Sequence, residues 1–281
     1  MKRACVIGWP IEQSRSPLIH GYWLQRYGID GAYTREAVRP ETAEQFLRSL
    51  ALRGLVGCNV TVPHKETAFA VSAERDAAAV AIGAANTVWL DDGRLCCSNT
   101  DAYGFMTHLS QSAPRWRERD APIAILGAGG AARAIVHGFL EAGAGRVLVF
   151  NRSPDRAEAL ARHFGDRVEA LPWDERSSKS AGVSVVVNTT TLGMKGAGDP
   201  GFDFARFDDR TVACDIVYVP LETAFLAAAR AAGLQTVDGL GMLLHQAVPG
   251  FEKWFGVRPE VTAELREVVV GDILGDNLGA R

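Results

Sequence analysis

The segment PIAILGAGGAARAIVHGFLEAGAGRVLVFNR, residues 122–152, constrains the fold more than any other stretch of this chain. An apolar run rich in isoleucine ends in a glycine turn, an alanine-rich helix follows, and a second apolar run, RVLVF, resumes the strand pattern. A strand, turn, helix and strand in about 30 residues implies two parallel strands joined by a crossover helix. Gly127, Gly129 and Ala132 fit G-x-G-x-x-G/A. The match alone says little, but directly after a strand and at the opening of a helix it defines a dinucleotide site. Gly127 permits the tight turn, Gly129 lets backbone approach a pyrophosphate, and Ala132 allows close helix packing.

The end of the next strand selects the cofactor. A site for NAD places Asp or Glu there for the ribose hydroxyl. This chain has Asn151, Arg152, Ser153, Pro154, Asp155 and Arg156 instead. Two guanidiniums suit a 2′-phosphate, because they stay charged and bond it bidentately, so NADP is expected. The competing structural reading pairs the arginines with Asp155 or Glu158 on a solvated helix face.

The same alternation runs through the whole chain. RACVIG, AYTREAV and LVGCNVTV read as strands, followed respectively by PLIHGYWLQRYG, PETAEQFLRSLA and PHKETAFAVSAERDAAAVA as helices. ANTVWL and RLCCSN form a hairpin across Asp92-Gly93. A helix from about Ala102 leads to the link around APRWRERDAP. Beyond it come PIAILG, GRVLVFN, VSVVVNTT and TVACDIV as strands, with ERSSKSAG and GMKGAGDPG as polar connections; from about Gly239 the chain is helical again. The expectation is an α/β protein of two domains: an N-terminal α/β substrate domain with a mostly parallel sheet, and a C-terminal Rossmann domain for NADP. Their spans are 1–101, with about 240–281 packing back, and 102–239. The length of 281 residues agrees, since single domains run to roughly 100–200 residues.

Composition narrows the partners. A formal net charge of -3 provides no basic field for nucleic acid or for anionic lipid, which leaves a small molecule. The five cysteines, Cys5, Cys58, Cys96, Cys97 and Cys214, sit in apolar runs and read as buried reduced thiols. Neither they nor the six histidines have metal-ligand spacing, so no metal is expected. The N-terminal apolar run is too short for a secretory signal, and none approaches the ~20 residues of a membrane span. A cytoplasmic location is expected.

Candidate chemistry lies in the first domain. In GWPIEQSRSPLIHG, Ser16 before Pro17 reads as an N-cap with proline at N1, while Ser14 is left over, free to help the helix start hold an anion. In GCNVTVPHKE, Lys65 falls just inside a helix beginning near Pro63, where it opposes the helix dipole; that disfavours its charged form and suits a general acid or base. Lysine is scarce here, five residues against 25 arginines, and an acid would be the structural choice at that position. Asp101 in SNTDAYGF starts the next helix, either as a favourable helix-start anion or as the partner that orients Lys65 and keeps it protonated. Thr61, Asn86, Asn99, Tyr218 and Gln246 complete a polar set; each alone fits a cap or turn, but ligands of α/β proteins bind at the carboxyl ends of strands.

SRSPLIHG, NVTVPHK, GAANTV, SNTDAYG, GAGGAARA, NRSPDRA, DIVYVPLET and DGLGMLLHQA occur in this order and spacing, and from Gly8 to about Gly256 the chain resembles the shikimate dehydrogenase family. The resemblance implies NADP-linked, reversible reduction of 3-dehydroshikimate to shikimate, a step toward the aromatic amino acids. It implies that Ser14 and Ser16 hold the substrate carboxylate, that Lys65 is the acid/base with Asp101 its partner at the substrate hydroxyls, and that Thr61, Asn86, Tyr218 and Gln246 complete the hydroxyl-binding shell. Gly127, Ala128, Gly129, Gly130 and Ala131 are implied at the pyrophosphate, Asn151, Arg152, Ser153 and Arg156 at the adenosine phosphate, and Ile216 and Gly239 near the nicotinamide. Three positions depart from the family pattern: Ala132 stands for a common serine, Gly21 for a polar residue, and Ser98 for an acid ahead of Asn99. Two alternatives stay open, a quinate/shikimate dehydrogenase of relaxed specificity and a non-catalytic NADP-binding sensor, the second disfavoured by the Lys65–Asp101 pair. A monomer or homodimer is expected.

Overall fold

Small and branched apolar residues bury the whole inner length of the first strand, β1 (Lys2–Gly8), from Ala4 onward. A strand buried on both faces needs neighbours and covering helices, and the computed structural model, which describes residues 1–279, shows how the chain supplies them. The chain divides into two compact units, one of Met1–Asp101 with Leu244–Arg281 and one of Ala102–Leu243.

In the first unit β1 is followed by α1 (Ser16–Arg26), β2 (Gly31–Ala37), α2 (Ala43–Arg48), β3 (Gly57–Val60), α3 (Lys65–Val71), β4 (Glu74–Arg75), α4 (Ala77–Ile82), β5 (Thr87–Asp91) and β6 (Arg94–Ser98). The strands form one sheet in the order β2-β1-β3-β5-β6-β4. β1 pairs in parallel with β2 and β3, and β4 with β6, whereas the hairpin β5–β6 runs antiparallel and joins β3 antiparallel. The hairpin turn places both Asp92 and Gly93 at positive φ, as a tight two-residue connection requires. One face of the sheet carries a cluster of Ile7, Phe46, Leu47, Leu50, Val60 and Val88.

In the second unit the chain runs α5 (Asp101–Ser112), β7 (Ile123–Leu126), α6 (Gly130–Glu141), β8 (Val147–Asn151), α7 (Pro154–Phe164), β9 (Val168–Pro172), α8 (Arg176–Lys179), β10 (Val185–Asn188), β11 (Val212–Asp215), α9 (Ala224–Ala231) and β12 (Gln235–Val237). The sheet is wholly parallel in the order β12-β11-β10-β7-β8-β9, a doubly wound arrangement whose direction of winding reverses between β7 and β10. Separate apolar clusters pack its two faces, one around Ile135, Phe139 and Leu109, the other around Phe202, Phe204 and Phe225.

The chain closes with α10 (Leu240–Phe255) and α11 (Ala263–Gly279). From Leu244 on they belong to the first unit, where Trp254 donates its indole N–H to the Val88 carbonyl at 3.0 Å. Gly57 makes that approach possible, since a Cβ there would collide with both the indole and the Val88 carbonyl. Beside Trp254 lies an aromatic stack of His20, Trp23, Tyr33 and Phe251, with His20 and Tyr33 4.0 Å apart and nearly parallel.

Several expected elements differ. PHKETAFAVSAERDAAAVA is not one helix: Ser72 turns extended and bonds back to the Ala68 carbonyl at 2.7 Å, the short β4 pairs with β6, and Asp76 caps a new helix by accepting from Ala79 N–H at 2.7 Å. α3 starts at Lys65 and not near Pro63, because His64 N–H first closes a turn on the Thr61 carbonyl. Ser16 is not an N-cap; Arg15 caps α1 and Ser16 is its first helical residue. The stretch ERSSKSAG contains α8, and β9 and β12 complete the second sheet at its two edges.

Candidate active site

β1 and β3 are adjacent and parallel, with Ile7 opposite Val60, so the loops that leave them emerge at the same edge of the first sheet. Trp9 N–H ties one loop to the other through the Val62 carbonyl at 3.1 Å. The first loop carries Ser14 and Ser16, the second Thr61 and Lys65. The Ser14 hydroxyl accepts the Ser16 N–H at 3.4 Å, and Arg35 donates to the Ser14 carbonyl at 2.8 Å. Arg15, between them, is engaged with Asp272 at 2.9 Å.

Lys65 and Asp101 form an ion pair through Nζ and Oδ2. The lysine side chain is 27% exposed and the aspartate 10%, so the pair is shielded on the acid side and open on the amine side. Helix starts position both: Lys65 is the first residue of α3, its carbonyl held by Ala85 N–H at 2.9 Å, and Asp101 is the first of α5, its N–H accepted by Asn99 Oδ1 at 3.1 Å. Both roles weighed for Asp101 are therefore realised, a helix-start anion and a partner of Lys65.

Asn86 organises the acid. Its Nδ2 donates to Asp101 Oδ1 at 2.8 Å and lies 3.4 Å from Gln246 Oε1, and its Oδ1 accepts Thr100 N–H at 2.8 Å. Thr100 donates its hydroxyl to the Gln246 carbonyl at 2.8 Å, bringing α10 into the same network. Behind Asn86, Asn59 Nδ2 donates to the Asn86 carbonyl and to Thr87 Oγ1, and Tyr33 donates its hydroxyl to Asn59 Oδ1 at 2.6 Å. Burial, with Cys5 and Cys58 beside it, holds the Tyr33 hydroxyl well above its usual pKa, and a hydrogen bond with Ser16 opposes that only in part. A buried polar chain thus runs from Ser16 through Tyr33, Asn59 and Asn86 to Asp101 and Lys65. Tyr33, Asn59 and Thr100 were missed as site residues; a lone asparagine inside the otherwise apolar strand LVGCNV was the available signal, since a buried amide needs partners.

Tyr218, Ile216 and Gly239 belong to the second unit. Gly239 approaches the backbone at Ile216 so closely that a Cβ would overlap the Ile216 carbonyl, which explains the glycine. In the glycine loop Gly127 adopts φ +108, and a Cβ there would meet Thr189 Oγ1 at 2.8 Å, whereas Gly129 and Gly130 face open space. Gly129 is the N-cap of α6 and no side chain caps that helix, so its first N–H groups are left for an anion. Ala132 is fully buried, as close helix packing demands. Asn151 Nδ2 bonds the Ser153 carbonyl at 2.9 Å and shapes the turn into α7. Arg152 and Arg156 are exposed, and Glu158, the proposed structural partner, pairs instead with Arg162. A bare helix start at the winding reversal, with two guanidiniums at the end of β8, suits a phosphorylated dinucleotide.

These features define a dinucleotide-linked oxidoreductase: a doubly wound nucleotide-binding unit in one chain with a unit that carries a lysine–aspartate pair. Three regions match known family descriptions, residues 6–88 the shikimate dehydrogenase substrate binding domain, 110–193 shikimate/quinate 5-dehydrogenase and 239–269 the shikimate 5′-dehydrogenase C-terminal domain. The chain is 55% identical over 275 residues to the shikimate dehydrogenase (NADP(+)) of Brucella canis, covering 97% of this chain and 95% of that one. Among solved structures, shikimate 5-dehydrogenase of Thermus thermophilus in complex with NADP(H) and shikimate superposes with a TM-score of 0.85 at 35% identity, covering 95% of this chain and 98% of that one. The quinate dehydrogenase of Corynebacterium glutamicum in complex with NAD gives 0.88 at 28% identity, covering 96% and 99%. The chain belongs to the shikimate dehydrogenase family, and it is an NADP-linked enzyme.

Proposed function

We infer that this chain catalyses the reversible, NADP-linked reduction of 3-dehydroshikimate to shikimate on the route to the aromatic amino acids, with Lys65 as its acid/base. The observation that carries the assignment of roles is the Lys65–Asp101 pair, with Asn86 fixing the acid from behind.

Gly127, Ala128, Gly129, Gly130 and Ala131 would hold the pyrophosphate of NADP. Asn151, Arg152, Ser153 and Arg156 would hold the adenosine phosphate, and Ile216 and Gly239 would face the nicotinamide. Bound NADPH supplies the hydride. The residues of the first unit supply the rest. Ser14 and Ser16 take the substrate carboxylate with hydroxyls and not with a cation, because Arg15 is committed to Asp272. Lys65 Nζ delivers a proton to the oxygen of the carbonyl as it becomes an alcohol, and in the oxidative direction removes it again. Asp101 orients the amine and accepts from a substrate hydroxyl. Thr61, Asn86 and Gln246 bind the substrate hydroxyls, with Asn86 also holding Asp101. Tyr218 is assigned to substrate binding on the family resemblance. A shell built to pair hydroxyls discriminates strongly against analogues that leave its polar groups unpaired.

We place the enzyme in the cytoplasm, as a monomer or homodimer acting on a small molecule; five buried, unpaired cysteines support a reducing compartment, and no helix among the described residues is long and apolar enough to cross a membrane. The deciding assay follows absorbance at the NADPH band with shikimate and quinate, each against NADP and NAD. Turnover of shikimate with NADP is expected. Its absence would defeat the reading, and comparable turnover of quinate would replace it with a shikimate/quinate enzyme.

A further inference from the structure

Asp215, the last residue of β11, is 1% exposed and pairs with no basic side chain among the described residues. Burial pushes its carboxyl up to about 6, so the charged form costs more there than at the surface. A neutral residue would fill the same space without that penalty.

The carboxylate instead saturates four donor contacts. Oδ1 accepts Val217 N–H at 2.9 Å and Asn188 Nδ2 at 3.1 Å; Oδ2 accepts the same amide at 3.1 Å and Thr223 Oγ1 at 2.7 Å. Each donor belongs to a different segment. Asn188 ends β10 at the winding reversal and closes the loop behind it, donating to the Leu192 carbonyl at 3.1 Å and accepting Thr190 N–H at 3.1 Å and Thr190 Oγ1 at 2.7 Å. Thr189, next along, is the residue against which Gly127 of the glycine loop packs. Val217 sits between Ile216 and Tyr218. Thr223 caps α9, accepting Leu226 N–H at 3.3 Å. One acid therefore fixes the loops leaving β10 and β11, where an α/β sheet of this winding holds its ligand.

We propose that Asp215, acting through Asn188 and Thr223, is a positioning residue for the nicotinamide end of NADP, setting the loops at 189–192 and 216–218 while leaving the adenosine end untouched. The proposal rests on the reading above that Ile216 faces the nicotinamide. Asparagine does not reproduce the acid: its NH2 group faces the Asn188 amide, another donor, in either orientation, and meets Val217 N–H or the Thr223 hydroxyl beside it.

The test uses the full chain and two ligands, NADPH and 2′,5′-ADP, which carries only the adenosine end. Calorimetry gives both dissociation constants for the wild type and for Asp215→Asn. The ratio of NADPH to 2′,5′-ADP dissociation constants is expected to rise at least fivefold, with kcat falling at least tenfold. A smaller rise in the ratio overturns the proposal, including the case in which both ligands weaken together. If Asp215→Asn does not fold, Thr223→Val carries the same threshold, while Thr223→Ser, which keeps the hydroxyl, stays at the wild-type ratio. Failure of the wild type to bind 2′,5′-ADP would sink the cofactor assignment itself, a separate outcome.

Discussion

Asn86 offers the sharpest perturbation of the site. Its side chain is 3% exposed and does two things nothing else nearby can do: it accepts Thr100 N–H and donates to Asp101. The hydroxyls of Thr87 and Thr100, which also lean on its oxygen, can fall back on each other and on the Gln246 carbonyl. Asn86→Ala thus strands one buried N–H, at about 1–3 kcal/mol, and removes one hydrogen bond to a charged group, about 1.5–3 kcal/mol. We expect a stability loss of about 2.5–6 kcal/mol by urea unfolding, and a fall in kcat/KM on the order of 100-fold because the acid loses its orientation. Asn86→Asp keeps the acceptor for Thr100 and turns the donor into a second carboxyl facing Asp101. Two adjacent carboxylates share a proton, so the new group titrates above the usual carboxylate range. Folding then binds a proton that the unfolded chain has released, and stability falls as pH rises through that range. The two variants separate in a pH series of urea unfolding: relative to wild type, Asn86→Asp gains stability toward acid while Asn86→Ala does not. Parallel curves for the two, or an Asn86→Ala enzyme within twofold of wild type, would refute the role given to this amide.

Other outcomes follow from single observations. Burial holds His20 down to about 3 from 6.5, opposed in part by Asn59, so the folded state binds fewer protons and stability is full above pH 6.5 and lost as pH falls toward 3. Between pH 7 and 4.5 that amounts to about 2–3 kcal/mol, which His20→Leu should not lose; an unchanged difference between the two proteins across this range would contradict it. Replacing Arg152 and Arg156 together by alanine should raise KM for NADP by about 30-fold or more and leave that for NAD within about twofold, since each guanidinium contributes a charge-assisted bond only to the 2′-phosphate. Gly57→Ala drives a methyl against the Trp254 indole and should destabilise by about 1–3 kcal/mol, read as a lower melting temperature.

What could be read in advance depended on whether its cause was local. The strand–glycine–helix segment at residues 122–152 announced both the parallel sheet and its ligand, because turn, cap and helix packing are all specified within that stretch. Lys65 and Asp101 stood out because each sits at a helix start, where charge has a definite preference. The break at Ser72 was not legible, because β4 exists only through pairing with β6, and β12 is three residues long and held by β11 alone. The N-cap reading of Ser16 failed at one position: Arg15 is the N-cap of α1, and Ser14 accepts the Ser16 N–H. Asn59 and Tyr33 belong to the site through contacts between strands, and no spacing along the chain reports those.

The central claim is tested most directly by Lys65→Ala, with kcat for shikimate oxidation and the dissociation constant for NADP measured on the same preparation. The account predicts that kcat falls by about 10³–10⁴-fold while NADP binds as to wild type. A kcat within about tenfold of wild type would remove Lys65 from the chemistry, since even a modest general acid or base contributes more than that.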